Sequence, residues 1–196
     1  MPTRRSFIVA GICLGSGLSL VSCAPPPEIP AFPDLRFTSE PPFLLQAGQI
    51  EIRTLYQPTA GESRFPVPPV RAMQNWARDR LRASGQGGSA RFTIANASAT
   101  IKNLPVQGGI SGTFTDQVSQ QYDVAVDAAL EILDRQGVAL RSMRVTARRS
   151  RSVLQSATAN DRERVRYALV RDLMADFDSQ AQSRISGSFG QYLLSQ

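Results

Sequence analysis

Two carboxylates near the C-terminus have a spacing that could support acid–base or metal chemistry. Asp172 and Asp176 are four residues apart, so a helix places them on the same face. Such a pair could share a proton or hold a divalent ion, which makes a carboxylate-based hydrolase one hypothesis. The alternative is a solvated helix face on which both acids lie near Arg171. We favour this alternative and predict no metal site and no cofactor.

The composition excludes most other kinds of active site. The 196 residues contain no histidine, which excludes imidazole-based triads and imidazole metal ligands. Two cysteines are too few for a thiolate zinc site. A serine–lysine pair could use only Lys102, and no serine lies three residues before it. We therefore predict that the protein is not an enzyme.

The first 23 residues have the layout of an export signal. Arg4 and Arg5 precede an apolar stretch at 7–21, which is shorter than the roughly 20 residues needed to span a bilayer. The stretch ends in Leu20-Val21-Ser22-Cys23, which resembles the lipobox of bacterial lipoproteins. The resemblance implies a signal peptide over 1–22, diacylglycerol on the Cys23 sulfur and an acyl group such as palmitate on the new N-terminus. The alternative is an ordinary secretory signal with an incidental cysteine.

The residues around Cys23 bear on the export route and the destination. Thr3-Arg4-Arg5-Ser6-Phe7-Ile8 resembles the twin-arginine export motif, and the general secretory route is the alternative. Ala24 follows Cys23 where an aspartate would signal retention in the inner membrane. By the usual rule of such lipoproteins, this implies anchoring in the outer membrane of a Gram-negative bacterium, with the domain in the periplasm. An envelope protein meets little nucleic acid, so we predict no nucleic-acid partner.

A proline-rich segment separates Cys23 from the rest of the chain. Seven prolines lie between Ala24 and Pro42, and they exclude a helix or a central strand. We predict an acylated cysteine with a semi-rigid tether over 23–42 and a single α+β domain over 43–196. Apolar residues at 32, 35 and 37 leave two possibilities open, a free tether or one that docks on the domain.

Arginines are concentrated on one predicted strand of this domain. All but one of the 22 basic residues are arginine, and Arg144, Arg148, Arg149 and Arg151 lie close together. The guanidinium group binds phosphate in a bidentate geometry, so these arginines are a candidate surface for anionic lipid, lipopolysaccharide or a partner protein. The alternative is a sheet edge that charge keeps soluble.

Hydrophobic periodicity predicts the order strand, helix, strand, strand, strand, helix. Apolar residues alternate strictly with other residues over 121–133, which is typical of a half-buried antiparallel strand. In the last helix they recur every four residues from Val165 to Phe189, after an N-cap at Asn160. Gly85, Gly87 and Gly88 are expected to end the first helix. The predicted fold is α+β, with two helices packed on one face of a four-stranded, mainly antiparallel sheet.

The turn at Asp134-Arg135-Gln136-Gly137 predicts how the two longest strands pair. If Asp134 lies opposite Gly137, Val126 faces Val145 and Asp127 faces Arg144. The apolar pairs and opposite charges then agree on one register. A bulge at Gly137 is the alternative and would shift the pairing by one residue.

Several stretches resemble an uncharacterised family of small Gram-negative envelope lipoproteins. They are 114–117 through Tyr122, 129–132, 149–151 and 160–165. The architecture is also similar to the lipopolysaccharide-assembly lipoprotein and to auxiliary lipoproteins of lipid-transport ABC systems, an analogy at the level of fold. The resemblance implies a membrane-anchored protein with an envelope protein as partner. Ala24-Pro25-Pro26 departs from the motif that often follows the cysteine in the assembly lipoprotein.

Overall fold

Four strands form the main sheet of the computed structural model, which describes residues 32–106 and 116–194. In chain order the elements are β1 (Phe43–Leu45), β2 (Gln49–Thr54), α1 (Pro69–Arg80), β3 (Leu81–Ala83), β4 (Ser89–Asn103), β5 (Val118–Leu133), β6 (Ala139–Leu154) and α2 (Ala159–Ser188). The main sheet has the order β2-β4-β5-β6, and only its β2–β4 pairing is parallel. This confirms the predicted α+β class and element order. A small parallel sheet of β1 and β3 is additional.

Both helices pack on the sheet face that carries the apolar residues of β5. Tyr122, Val124, Val126 and Leu130 are at most 2% exposed, and the residues between them are half-buried. Trp76 of α1 joins the layers, because its ring lies 5.4 Å from Phe92 of β4 and 5.0 Å from Phe177 of α2. The strict alternation in β5 therefore corresponds to one buried face and one face turned away from the helices.

The first helix is shorter than its sequence predicts. It begins at Pro69, where a missing amide hydrogen costs no helix bond, and ends at Arg80. Leu81 is already extended, with φ −108° and ψ 132°, and it pairs with Phe43. The prediction that the glycines at 85, 87 and 88 end the helix is wrong, because pairing with β1 draws the chain into a strand first.

The second helix has the predicted apolar face and a different start. Its buried residues recur every four positions, at Leu169, Leu173, Phe177, Ala181 and Ile185. The N-cap is Thr158 and not Asn160. The Thr158 side chain accepts a hydrogen bond from the Asp161 amide, and the Asp161 side chain accepts one from the Thr158 amide. This capping box satisfies two amides that the first turn leaves unpaired.

The predicted register of β5 and β6 is wrong by two residues. Val126 pairs with Ala147, and Asp127 pairs with Thr146. The turn closes between Asp134 and Val138 because Gly137 takes a left-handed conformation with φ 83°, and a further irregularity follows at Ile132/Leu133. A shift of two residues keeps every side chain on its own face, so the apolar pairing survives the wrong register.

The described end of the proline-rich segment docks along α1. Leu35 is 8% exposed, and its carbonyl accepts a hydrogen bond from the Asn75 side chain. The Arg36 guanidinium donates two hydrogen bonds to Asp79, of 2.9 and 2.6 Å. Residues 34–37 of the predicted tether therefore dock on the domain and are not free. The predicted boundaries at 23, 43 and 196 stay a prediction.

Candidate interaction surface

The sheet face that points away from the helices carries polar and charged side chains of β4, β5 and β6. We call it the open sheet face. It is formed by Arg91, Thr93, Asn96, Ser98, Lys102, Asp123, Ala125, Asp127, Arg144, Arg148 and Ser150, which are half-buried or exposed. Their neighbours along β4 and β5 point into the core, as the period of two in a strand requires. The open sheet face is accessible to a partner, whereas the two helices cover the opposite face.

One carboxylate organises the middle of the open sheet face. Asp123 lies 2.8 Å from the Lys102 ammonium, and it accepts hydrogen bonds from Ser150 (2.6 Å) and Gln121 (2.8 Å). These contacts, with Lys102 the largest, lower the pKa of Asp123 to about 2. Asp123 is therefore a fixed negative charge at neutral pH and no proton donor.

Other ion pairs surround this centre. The Arg144 Nε lies 3.3 Å from Asp127 Oδ1. This pair was predicted as directly opposed residues, and it forms across the diagonal in the observed register. Glu51 accepts hydrogen bonds from both Arg53 and Arg91, which lower the pKa of its carboxyl. The face thus carries both signs of charge, mostly in pairs.

Small side chains leave a groove in this face. Its volume is about 660 Å³, and it is lined by residues of three adjacent strands: Asn96, Ser98, Thr100, Lys102, Asp123, Val124, Ala125, Arg148, Arg149 and Ser150. The lining offers hydroxyl, amide, ammonium, guanidinium and carboxylate groups, with an apolar patch at Ala125. Such a mixture suits a polar protein surface, since protein interfaces combine paired polar groups with small apolar contacts.

The four arginines predicted as one surface are divided by the pleat of β6. Arg144 and Arg148 lie on the open sheet face, while Arg149 and Arg151 lie on the helix side. Arg149 donates hydrogen bonds of 2.6 and 2.8 Å to Asp176 of α2. Arg151 lies 3.9 Å from Asp172. Of these four arginines, Arg148 alone has no ion-pair or hydrogen-bond partner among the described residues.

The two candidate catalytic carboxylates are engaged by these arginines. The hydrogen bonds from Arg149 lower the pKa of Asp176, which therefore stays ionised at neutral pH. Asp172 accepts hydrogen bonds from Arg171 and lies near Arg151. Among residues 32–106 and 116–194, no group of three or more acids or cysteines could hold a metal ion. The geometry gives the hydrolase hypothesis no support.

Sequence patterns missed a buried ionic cluster between the two helices. The Arg80 side chain is 2% exposed, and its Nε donates a hydrogen bond of 3.0 Å to Asp178 Oδ1. The Trp76 indole donates to the same oxygen at 2.7 Å. Arg80 also donates to the Pro41 carbonyl and lies 4.7 Å from the centre of the Phe43 ring. The available signal was an arginine next to the apolar stripe of α1.

The predicted acylation site lies outside the described residues. Cys23 and the signal at 1–22 precede Phe32, so the structure does not test them. None of the described helices is long and apolar enough to cross a membrane.

Comparisons with known proteins find distant structural relatives only. No protein-family model matches the chain, and no curated protein matches it. A minor lipoprotein from Acinetobacter baumannii is 17% identical with a TM-score of 0.40, covering 74% of this chain and 94% of that one. Rare lipoprotein B from Shewanella oneidensis is 12% identical with a TM-score of 0.36, covering 71% and 98%. An uncharacterized lipoprotein B from Nitrosomonas europaea is 18% identical with a TM-score of 0.31, covering 76% and 83%.

These structural neighbours are a minor, a rare and an uncharacterized lipoprotein, and Leu20-Val21-Ser22-Cys23 resembles the lipobox of lipoproteins. TM-scores of 0.40 and below are too low to carry a role from these proteins to this chain.

Proposed function

We propose that the protein is a lipid-anchored, non-enzymatic envelope protein. It acts as an accessory or scaffold in outer-membrane lipid or lipopolysaccharide transport, or in another envelope complex. The observation that carries the proposal is Leu20-Val21-Ser22-Cys23 at the end of a short apolar stretch. Two or more acyl chains at Cys23 would give stable membrane attachment, because each buried methylene adds about 0.8 kcal/mol.

The domain then acts by docking a partner protein on the open sheet face. The groove around Asp123 and Arg148 presents fixed charges of both signs, which suits a partner surface with complementary charges. Anchoring confines domain and partner to one membrane surface. The resulting effective concentration allows a weak interface to form a lasting complex.

The second candidate function is direct binding of anionic lipid by the arginine-rich strand β6. Ion pairs to Asp127, Asp176 and Asp172 already engage three of its four candidate arginines. A phosphate would have to displace these carboxylates, and we therefore favour protein docking on this face.

Replacing Cys23 with serine is expected to abolish acylation. Cells given a palmitate analogue should label the wild-type protein and leave Cys23→Ser unlabelled, because serine lacks the thiolate that accepts the diacylglycerol. The wild-type protein should pellet with membranes, and the variant should be recovered in the soluble fraction. A wild-type protein that takes up no more label than Cys23→Ser would refute the anchor.

Photo-crosslinking is expected to capture a partner from the open sheet face. A photoreactive residue at Ala125, in the groove, should give a discrete adduct in cells, whereas the same residue at Ala175 should not. Ala175 is a matched control because it is an exposed alanine on α2. In the Cys23→Ser background the adduct should weaken by about tenfold or more, since avidity from a shared membrane contributes at least that much. Equal adducts from both alanines would contradict docking on this face.

A further inference from the structure

Most arginines of the described chain are already paired, and the few that are not identify a second site. Arginines elsewhere form ion pairs or hydrogen bonds, for example with Asp79, Asp178 and Asp176. Within residues 32–106 and 116–194, the exceptions are Arg64, Arg148, Arg166 and Arg184. Two of these, Arg64 and Arg166, line one cavity.

This cavity has a volume of about 420 Å³. It is lined by Phe32, Ser63, Arg64, Pro66, Glu163 and Arg166. The size lies within the range of roughly 300–1,000 Å³ typical of small-molecule sites. Two guanidinium groups and one carboxylate give its lining a net positive charge. The Phe32 and Pro66 side chains supply apolar walls, and the Phe32 ring packs 5.2 Å from Tyr167.

Arg166 is held in place without its charge being neutralised. Its guanidinium carbon lies 5.7 Å from the centre of the Tyr122 ring, and its Nε is buried with no hydrogen-bond partner. An aromatic ring orients a guanidinium but accepts no strong hydrogen bond from it. The Nε itself is inaccessible, so a phosphate oxygen in the cavity would meet the other nitrogens of the Arg166 guanidinium, where it would gain a strong charge-assisted bond.

The position of the cavity favours a lipid as the source of the phosphate. Phe32 forms one wall, and nine residues of chain, 24–32, lie between Cys23 and the end of Phe32. At about 3.1 Å per residue this chain reaches roughly 30 Å at most. If Cys23 is acylated, as proposed above, Phe32 stays within roughly 30 Å of the membrane surface, and the cavity can contact the lipid head groups.

We propose that this cavity binds a glycerophospholipid head group, with the phosphate at Arg64 and Arg166 and a hydroxyl or ammonium donor at Glu163. Each guanidinium group can donate two hydrogen bonds to a phosphate. The Glu163 carboxylate selects head groups that carry a hydrogen-bond donor. Such binding would orient the domain on the membrane, with the end that bears Phe32 towards the bilayer.

The test uses the full chain with Cys23→Ser, so that no acyl chain contributes to binding. Its affinity is measured by flotation with phosphatidylcholine vesicles that contain phosphatidylglycerol. We expect the double substitution Arg64→Gln/Arg166→Gln to weaken binding at least about tenfold. The matched control, Arg148→Gln/Arg184→Gln, removes two other unpaired arginines and should weaken binding less than about threefold, because the surface charge alone is screened by salt. Equal losses in the two double variants would overturn the proposal.

Two further measurements separate the possible outcomes. Arg64→Gln alone removes an exposed side chain and should weaken binding with an unchanged unfolding midpoint, which excludes misfolding as the cause. Titration with soluble dihexanoyl phosphatidylglycerol should saturate at lower concentration than titration with inorganic phosphate. Inorganic phosphate binding as tightly as the lipid would overturn the lipid assignment. Failure of palmitate labelling would refute the anchor but leave these results standing, because the assay protein carries no acyl chain.

Discussion

Replacing Asp178 with alanine is expected to lower the free energy of unfolding by about 3–5 kcal/mol. The substitution leaves the Arg80 guanidinium buried, with a 2% exposed side chain and no opposing charge. It also removes the acceptor of the hydrogen bond from the buried Trp76 indole, at the edge of the core. An uncompensated buried cation is among the most costly defects that a single substitution can create. Urea unfolding followed by circular dichroism measures the loss.

Asp176→Ala is the matched control for this prediction. Asp176 also pairs with an arginine, but the Arg149 and Asp176 side chains are 40% and 39% exposed. Water screens an exposed pair, so the control should cost no more than about 1 kcal/mol. Asp178→Asn should give an intermediate loss, because the amide oxygen can still accept from Trp76. Similar losses of unfolding free energy in Asp176→Ala and Asp178→Ala would show that the burial of Arg80 does not determine the cost of the substitution.

The cluster around Arg80 also joins the proline-rich segment to the domain. Arg80 donates to the Pro41 carbonyl, and its direct neighbour in α1, Asp79, forms the ion pair with Arg36. Loss of Asp178 should therefore loosen residues 36–43 as well as the core. Hydrogen exchange of the amides at Phe37 and Phe43 would detect this loosening at low denaturant, before global unfolding.

Replacing Gly88 with alanine is expected to destabilise the fold by at least about 2 kcal/mol. A Cβ at this position would collide with the Leu133 carbonyl oxygen and lie 2.6 Å from the Asp134 carbonyl carbon. Both atoms belong to the backbone at the end of β5, which cannot move without disturbing the β4–β5 pairing. Glycine is therefore required at position 88 because two chain segments approach each other closely there. The loss of stability should appear as a lower unfolding midpoint.

Gly187→Ala is the control for this glycine. It lies in the last turn of α2, where an added Cβ meets no atom within 4 Å. Alanine favours a helix over glycine by about 0.5–1 kcal/mol, so this variant should be neutral or slightly more stable. The two substitutions thus predict opposite signs for the same chemical change. A Gly88→Ala variant as stable as Gly187→Ala would contradict the close approach.

Local patterns predicted the elements well because burial repeats with the period of each element. The alternation along β5 and the four-residue spacing along α2 each define a buried face without reference to distant residues. Patterns failed where the outcome depends on contacts with another segment or on backbone geometry that residue types do not fix. The end of α1 depends on β1, and the pairing of β5 with β6 depends on the geometry of Gly137 and a bulge. Thr158 replaced Asn160 as the N-cap because either residue type can fill that position.

The candidate site shows the same division. The type and spacing of residues identified a basic strand and a pair of acids, but not that Arg149 and Asp176 bind each other across the gap between β6 and α2. The sequence shows that a residue is arginine, but it does not show whether a carboxylate lies close enough to neutralise its charge.

By itself the sequence determined the α+β class, the order of the elements, the predicted anchor at Cys23 and the lack of histidine chemistry. These follow from residue types and short-range periodicity. Only the tertiary structure decided which charged side chains form ion pairs and which remain available to a ligand. Arg64 and Arg166 are far apart in the chain, and they line one cavity only because α2 packs beside the turn that carries Arg64. Pairing of charges depends on distances of a few ångströms between segments that no local pattern relates.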